Sequence, residues 1–541
     1  MRNINGKEWL NAVLSGAYNL KNKQNLINAL NVFPVPDGDT GSNMASTILG
    51  AEEVKLNDNL SISNASSAIA QNMLFSARGN SGVILSQIFK GFSVAFQNKK
   101  DINSYDLVRG FEEAAKYAYN AVLKPIEGTI LTVIREISEG LKESVLIDTD
   151  IIDVLKLALN MARKSCDNTP NLLTVLKEVN VTDSGGEGLY AIIEGILAYF
   201  EGNAIKPLEN ELEVNKFISD TEVFDGEFGY CTEFIVELKK PKKFNKESLI
   251  SKLEKHGNSM VVVKDDTFLK IHIHAAKPGN ILNIVDNLGQ FVKIKIENMT
   301  LQANNSKKNS DSMQSNDNTD NKPKKSAIIS CNTGSGIINL LKENGASYII
   351  EGGQTNNPSI KDIIFAIESI NAETIFILPN NSNIILSAQQ ASTIIKDKKI
   401  IIIPTKSQAQ SLSILYNFNE DNSPEDNHEL MNNALSYIHY GEIAPSIKTT
   451  KLNNIKVRAG SFMVINEGKL VDTAPTFNEA AYRLLDELIH EDTQLVTVFY
   501  GQGVTEADIN DLKNYIEINY NITFEIYDGG QDIYPYLIAA E

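Results

Sequence analysis

The stretch from Asn31 to Met44, NVFPVPDGDTGSNM, gathers the side chains best suited to chemistry. Asp37 and Asp39 flank Gly38, a residue that permits a tight bend. Pro34 and Pro36 end whatever helix precedes them. Hard carboxylate oxygens in one short loop suit Mg²⁺, which takes a few carboxylates and fills its other positions with water and phosphate. A helix is predicted to start near Ser42, so that its first amides face an anion. Asp-Gly-Asp alone is more often an ordinary turn. Three further loops put small residues at predicted helix starts: Ser76 to Gly82 with Arg78, Ser81 and Gly82; Pro125 to Val133 with Thr129 and Ile130; and Thr182 to Leu189 with Asp183, Ser184 and Gly185. Each by itself also reads as a cap or a glycine stop. Together they suggest a nucleotide site built from loops. None carries the Gly-Lys-Ser/Thr of a Walker loop.

A second constellation lies further on. His272 and His274 sit two apart on an alternating segment, Phe268 to His274, so both belong to one strand face, and Cys231 lies before another strand. With His256 as a possible extra member, these residues make a plausible zinc set. The same pattern also describes two half-exposed strand histidines and a core cysteine.

The elements that hold these residues follow from the rest of the chain. Its 541 residues exceed a single core and imply several domains. With 42% hydrophobic and 22% charged residues the chain reads as globular. No apolar run is long enough to cross a bilayer, and Met1 to Leu10 lacks the apolar region of a secretory signal. Three scattered cysteines exclude a disulfide scaffold and suit the cytoplasm. A net charge of −18 makes nucleic acid a poor partner.

Residues 1–205 carry apolar side chains at helical spacing, as in Trp9, Leu10, Val13, Leu14 and Ala17, and predict an all-α domain. Residues 206–302 mix short strands and helices in a small α+β domain. Residues 303–326 are nearly all Asn, Ser, Asp and Lys and read as a flexible linker. Strand and helix patterns then alternate over 327–445, which argues for a parallel sheet covered by helices. An α+β unit spans 446–541. The polar stretch Asn419 to His428 reads as a surface loop.

NVFPVPDGDTGSNM, ARGNSG, EGTILTV and DSGGEGL, in that order, resemble the DhaL nucleotide-binding domain of dihydroxyacetone-type kinases, an up-and-down helical barrel. EGGQTNNPS, ILPNNSNIILSAQQA, IPTKSQAQSL and DGGQDIYPYLI resemble the DegV-like C-terminal region of the ATP-binding subunit of bacterial fatty acid kinase. The resemblance implies ATP and Mg²⁺, with Asp37 and Asp39 as metal ligands. An Asp found five residues earlier in sugar-kinase domains is Val32 here, and Asn31 beside it becomes the third ligand. Thr40, Gly41, Ser42, Asn43, Ser81, Gly82, Thr129, Ile130, Asp183, Ser184 and Gly185 would surround the nucleotide, and Arg78 would stabilise γ-phosphate charge. The family also carries a Cys and a His-x-His in its middle domain, which favours Zn²⁺ on Cys231, His272 and His274. The acceptor would be a fatty acid carboxylate presented by a separate DegV-type fatty-acid-binding protein, the product an acyl phosphate for phospholipid synthesis, and the chain a homodimer whose C-terminal half serves docking or dimer contacts. A kinase of small hydroxy-ketones and a non-catalytic nucleotide-sensing module are the competing readings.

Overall fold

The computed structural model describes residues 3–32, 38–55, 60–146, 149–207, 230–241, 244–253, 255–265, 268–275, 277–298, 323–354, 356–446, 449–452 and 455–541. The chain forms two compact units: Met1–Lys206 together with Pro323–Glu541, and Pro207–Lys322.

In the first unit, Asn5 opens α1 (Gly6–Asn22) with a capping box: its side chain accepts from the Glu8 amide at 2.9 Å, and Glu8 accepts from the Asn5 amide at 3.1 Å. Trp9, Leu10, Val13, Ala17 and Leu20 recur at helical spacing and are buried. Helices α2 (Gln24–Leu30), α3 (Thr40–Leu49), α4 (Ile62–Ser76), α5 (Gly79–Ala95), α6 (Ser104–Asn120), α7 (Ile130–Ser144), α8 (Ile151–Leu172), α9 (Thr174–Val179) and α10 (Ser184–Phe200) follow, and short strands β1 (Ile4–Asn5) and β2 (Asp101–Ile102) pair antiparallel. Going round, α1, α4, α5, α6, α7 and α8 each pack on the next, and α10 closes the ring between α8 and α1. Helix α3 lies inside, against α1, α4, α5 and α10. This is the expected helical barrel. Its closing seam is tight: a Cβ on Gly195 would come within 2.6 Å of Gly16 Cα, and the Ser15 hydroxyl donates to the Gly195 carbonyl at 2.6 Å.

The second unit contains an antiparallel sheet of order β4-β5-β3-β6, built from β3 (Tyr230–Leu238), β4 (Gly257–Asp265), β5 (Phe268–Ala275) and β6 (Gly289–Asn298). Helices α11 (Lys246–Leu253) and α12 (Pro278–Asp286) supply Leu249, Leu253, Ile281 and Val285 to its core, with Phe234, Val236, Ile271 and Ile273 from the strands. Cys231 lies within β3 rather than before it, because pairing with β5 continues to Tyr230 opposite Ala275.

The C-terminal half of the first unit starts with a parallel sheet of order β10-β9-β7-β8: β7 (Lys324–Asn332), β8 (Tyr348–Glu351), β9 (Ala372–Leu378) and β10 (Lys399–Ile402). Helices α13 (Ser335–Glu343), α14 (Ile360–Glu368), α15 (Ser382–Ile394), α16 (Ser411–Tyr416) and α17 (Pro424–Tyr437) accompany it. Both faces are buried, as a parallel sheet requires. Ile329, Ile375 and Ile377 join the same apolar cluster as the helical barrel, with α14 packed on α4 and α15 on α5. Ile328, Phe376 and Leu378 face a second cluster with Ile337, Leu341 and Leu412. The last sheet has the order β15-β14-β11-β18-β16-β17, from β11 (His439–Pro445), β14 (Phe462–Asn466), β15 (Lys469–Ala474), β16 (Leu495–Tyr500), β17 (Thr523–Asp528) and β18 (Tyr536–Ala540). Strands β12 (Thr450–Leu452) and β13 (Ile455–Val457) form a hairpin, and the α18 (Phe477–Leu488) and α19 (Glu506–Asn519) apolar faces pack in the last cluster.

Several expectations change. Of the linker stretch, 303–322 lies outside the described residues, but Lys324 to Ser326 belong to β7, where Lys324 pairs with Ala372 and Ser326 with Thr374. Strand β11 ends at Pro445 yet lies inside the last sheet between β14 and β18, so a boundary at 446 would divide that sheet. Asn419 to His428 is only partly loop, because Ser423 caps α17 and Pro424 takes its first turn. Among the described residues no helix is long and apolar enough to cross a membrane.

Candidate active site

Four helices of the barrel begin around one cavity. Asp39 directly precedes α3, Arg78 and Gly79 open α5, Thr129 caps α7 and Asp183 caps α10. Helix α3 starts at Thr40, two residues before the expected Ser42, because the Asp39 carbonyl already accepts from the Asn43 amide at 2.8 Å. Gly79 holds φ +58°, and a Cβ there would lie 2.5 Å from Asn43 Nδ2. The cavity, about 330 Å³, is lined by Asn31, Asp39, Thr40, Asn43, Ser81, Thr129, Ile130, Asp183, Ser184 and Gly185 among the residues singled out from sequence. Each helix start turns the positive end of its dipole toward the cavity, the setting that receives phosphates, while Asp183 already accepts from the Ile130, Gly185 and Gly186 amides and Asn28 Oδ1 from the Ser42 amide at 3.1 Å.

Other predicted residues serve the scaffold. The Ser42 hydroxyl accepts from Gln24 and Asn28 at 2.9 Å each, and a Cβ on Gly41 would meet the Gln24 carbonyl at 2.5 Å, so both seat α3 on α2. Gly82 lets α5 approach Thr47 and the Asn43 carbonyl on α3. Asp37 lies outside the described residues.

The oxygen donors cluster at the polar end. Asp39 Oδ2 accepts from Asn43 Nδ2 at 2.8 Å and from Asn357 Nδ2 at 2.6 Å. Asn31 Oδ1 accepts from the Thr40 hydroxyl and from Ser184 Oγ at 3.2 Å. Asp183 is buried, and burial pushes its carboxyl up to about 6 against the pull of the Gly186, Ile130 and Gly185 amides. Buried carboxylates and amide oxygens facing phosphate-accepting helix ends fit Mg²⁺ in its donor chemistry. Beside Asp39, Asn357 Oδ1 is buried and has no hydrogen-bond partner.

Asn357 belongs to the C-terminal half, whose part in this site sequence reasoning missed. Ser382, Asn383, Ile385, Leu386 and Gln389 of α15 line the same cavity, and Asn80 Nδ2 donates to Asn383 Oδ1 at 3.2 Å. Arg78 is turned to this junction and does not line the cavity: its guanidinium donates to the Asn357 carbonyl at 2.7 Å and pairs with Asp362 at 3.6 Å. The Ile360 amide donates to the Ala77 carbonyl at 3.1 Å. The signal was present in GGQTNNPS, after Glu351, and in LPNNSN, Asn-rich stretches without charge between a strand and a helix in the sequence. The opposite wall is apolar, from Ile84, Val122, Leu123 and Ile126, and Leu123 is 88% exposed.

In the second unit the backbone register sets Cys231 opposite His274 and Glu233 opposite His272 across β3 and β5. The side chains of Cys231, His272 and His274 lie outside the described set. Among the described residues no group of three His, Cys, Asp or Glu could hold a metal.

Residues 34–198 match the DAK2 domain, residues 227–306 the middle domain of the FakA-like fatty acid kinase proteins, and residues 327–541 their C-terminal part. Protein YloV of Bacillus subtilis is 39% identical over 555 residues, covering 100% of both chains. A Staphylococcus epidermidis protein named only as uncharacterized is 38% identical over 549 residues, covering 99% of both. Among solved structures, the DegV family protein Cg2579 of Corynebacterium glutamicum aligns with 40% of this chain and 97% of its own at a TM-score of 0.31 and 12% identity. With family matches in all three parts and relatives alike over their whole length, the chain belongs to the FakA-like fatty acid kinase family.

Proposed function

We propose that the chain transfers the γ-phosphate of ATP to the carboxylate of a fatty acid presented by a separate DegV-type fatty-acid-binding protein. The observation that carries this reading is the convergence of four helix starts and the Asp39 carboxylate on one cavity. The positive dipole ends at the starts of α3, α5, α7 and α10 receive the phosphates, and the apolar wall of Val122, Leu123 and Ile126 receives the base. Asn31, Asp37 and Asp39 hold Mg²⁺, which when bound neutralises phosphate charge.

A fatty acid carboxylate is already ionised near neutral pH, so the transfer needs no general base. One carboxylate oxygen forms a bond to the γ-phosphorus as the bond to the β–γ bridging oxygen breaks, giving acyl phosphate and ADP. The chain contributes alignment and charge stabilisation, the two things phosphoryl transfer requires. A zinc ion on Cys231, His272 and His274 would be structural, and the chain is read as a cytoplasmic homodimer. Asp37→Asn and Asp39→Asn should each abolish ATP turnover while leaving the helical circular dichroism intact. Full activity in both variants would remove these residues from the metal site and the reading with them.

A further inference from the structure

Asn357 is 1% exposed, yet only one side of its amide is satisfied. Its Nδ2 donates to Asp39 Oδ2 at 2.6 Å, while its Oδ1 is buried without a partner. A purely structural buried asparagine normally satisfies both ends, and an orphaned buried oxygen costs stability. The loop is therefore shaped around the bond to Asp39 rather than around its own packing. The surroundings hold it there. The Asn357 carbonyl accepts from Arg78 at 2.7 Å, Ser359 bridges Arg78 in antiparallel register, and Ser359 caps α14 in a box with Asp362. This loop comes from a part of the chain more than three hundred residues from Asp39.

We propose that Asn357 is a positioning residue for the metal site: the C-terminal half completes the ligand shell of the helical half in cis by fixing the Asp39 carboxylate. This rests on the reading that Asp39 holds Mg²⁺. Outer partners of a ligating carboxylate set its rotamer and basicity, and their loss typically weakens metal binding about 10–100-fold. One consequence is that metal affinity in the barrel depends on how the C-terminal half is seated.

The test uses the full-length protein with AMP-PNP and Mn²⁺ as the probe, reading bound metal by electron paramagnetic resonance rather than by turnover. Asn357→Leu is nearly isosteric, offers no donor and removes the orphaned oxygen, so it should fold; Asn357→Ala is the second variant if it does not. Asp362→Asn loosens the Arg78 ion pair at the same junction without touching Asp39. The expected result is a rise of about tenfold or more in half-saturating Mn²⁺ for Asn357→Leu, and less than about twofold for Asp362→Asn. Equal weakening in both would mean that the junction as a whole matters, and would overturn the assignment. Unchanged binding in Asn357→Leu, with Asp39→Asn losing metal, would overturn it while leaving the proposed function standing. Wild-type Mn²⁺ binding in Asp39→Asn would remove the metal site itself.

Discussion

Replacing Asp183 by Asn tests whether the site keeps a charge that the fold would rather lose. The Asp183 carboxylate caps α10 through the Gly186 amide at 2.8 Å, a bond that Asn can keep, although its NH2 no longer accepts from the Ile130 and Gly185 amides. Burial lifts the carboxyl from 3.8 to about 6. The folded state therefore holds a proton that the unfolded chain releases more readily. The associated stability is fully present below about pH 4 and is lost as the pH rises through about 6. At about 1.4 kcal/mol per pH unit, the gap makes the ionised carboxylate cost about 3 kcal/mol at pH 8. Without nucleotide or metal, the stability of Asp183→Asn relative to wild type should rise by about 1 kcal/mol between pH 5.5 and pH 8. Urea unfolding of both proteins at the two pH values measures this, and AMP-PNP binding by calorimetry should weaken in the same variant. No rise in the variant's relative stability between the two pH values would refute the reasoning, because the carboxyl would then titrate alike in the folded and unfolded chain.

Gly195→Ala places a methyl 2.6 Å from Gly16 Cα and the Ser15 carbonyl, backbone atoms that cannot move cheaply. Despite the gain in helix propensity, it should destabilise the protein by about 1–3 kcal/mol in urea unfolding, and an unchanged midpoint would contradict the tight seam. Protein purified without a histidine tag should carry about one zinc per chain by elemental analysis, and a preparation free of zinc would end the zinc proposal. Burial pushes the Cys166 thiol up and the Cys331 thiol up to about 12, so neither should react with a thiol reagent in the native state. Fast labelling of either would show that its core opens.

The barrel was readable because its helices carry their apolar faces at strict spacing and announce two of their starts with Thr129 and Asp183. The parallel strands were readable because burial on both faces makes them continuous, as in Ile375 to Leu378. Strand β11 was not, since HYGEIAP mixes glycine, proline and charge and owes its place to pairing with β14 and β18. Helix α17 hid in a polar stretch whose cap signal, Ser423 before Pro424, outweighs its composition. Within the site, Asp39, Thr40, Ser81, Thr129 and Asp183 were legible as residues lining one cavity, whereas Gly41, Ser42 and Gly82 at the same helix starts turn to neighbouring helices. Arg78 and Asn357 were not legible. Whether an arginine faces a phosphate or a backbone carbonyl depends on what packs against its loop, and here that neighbour comes from far along the chain.

The most direct test is ATP consumption by the purified chain with Mg²⁺ and oleate, with and without a DegV-type fatty-acid-binding protein. Turnover that requires the lipid-loaded partner, with acyl phosphate formed, is the expected result. Turnover on dihydroxyacetone instead, or nucleotide binding with no turnover under any of these conditions, would contradict it.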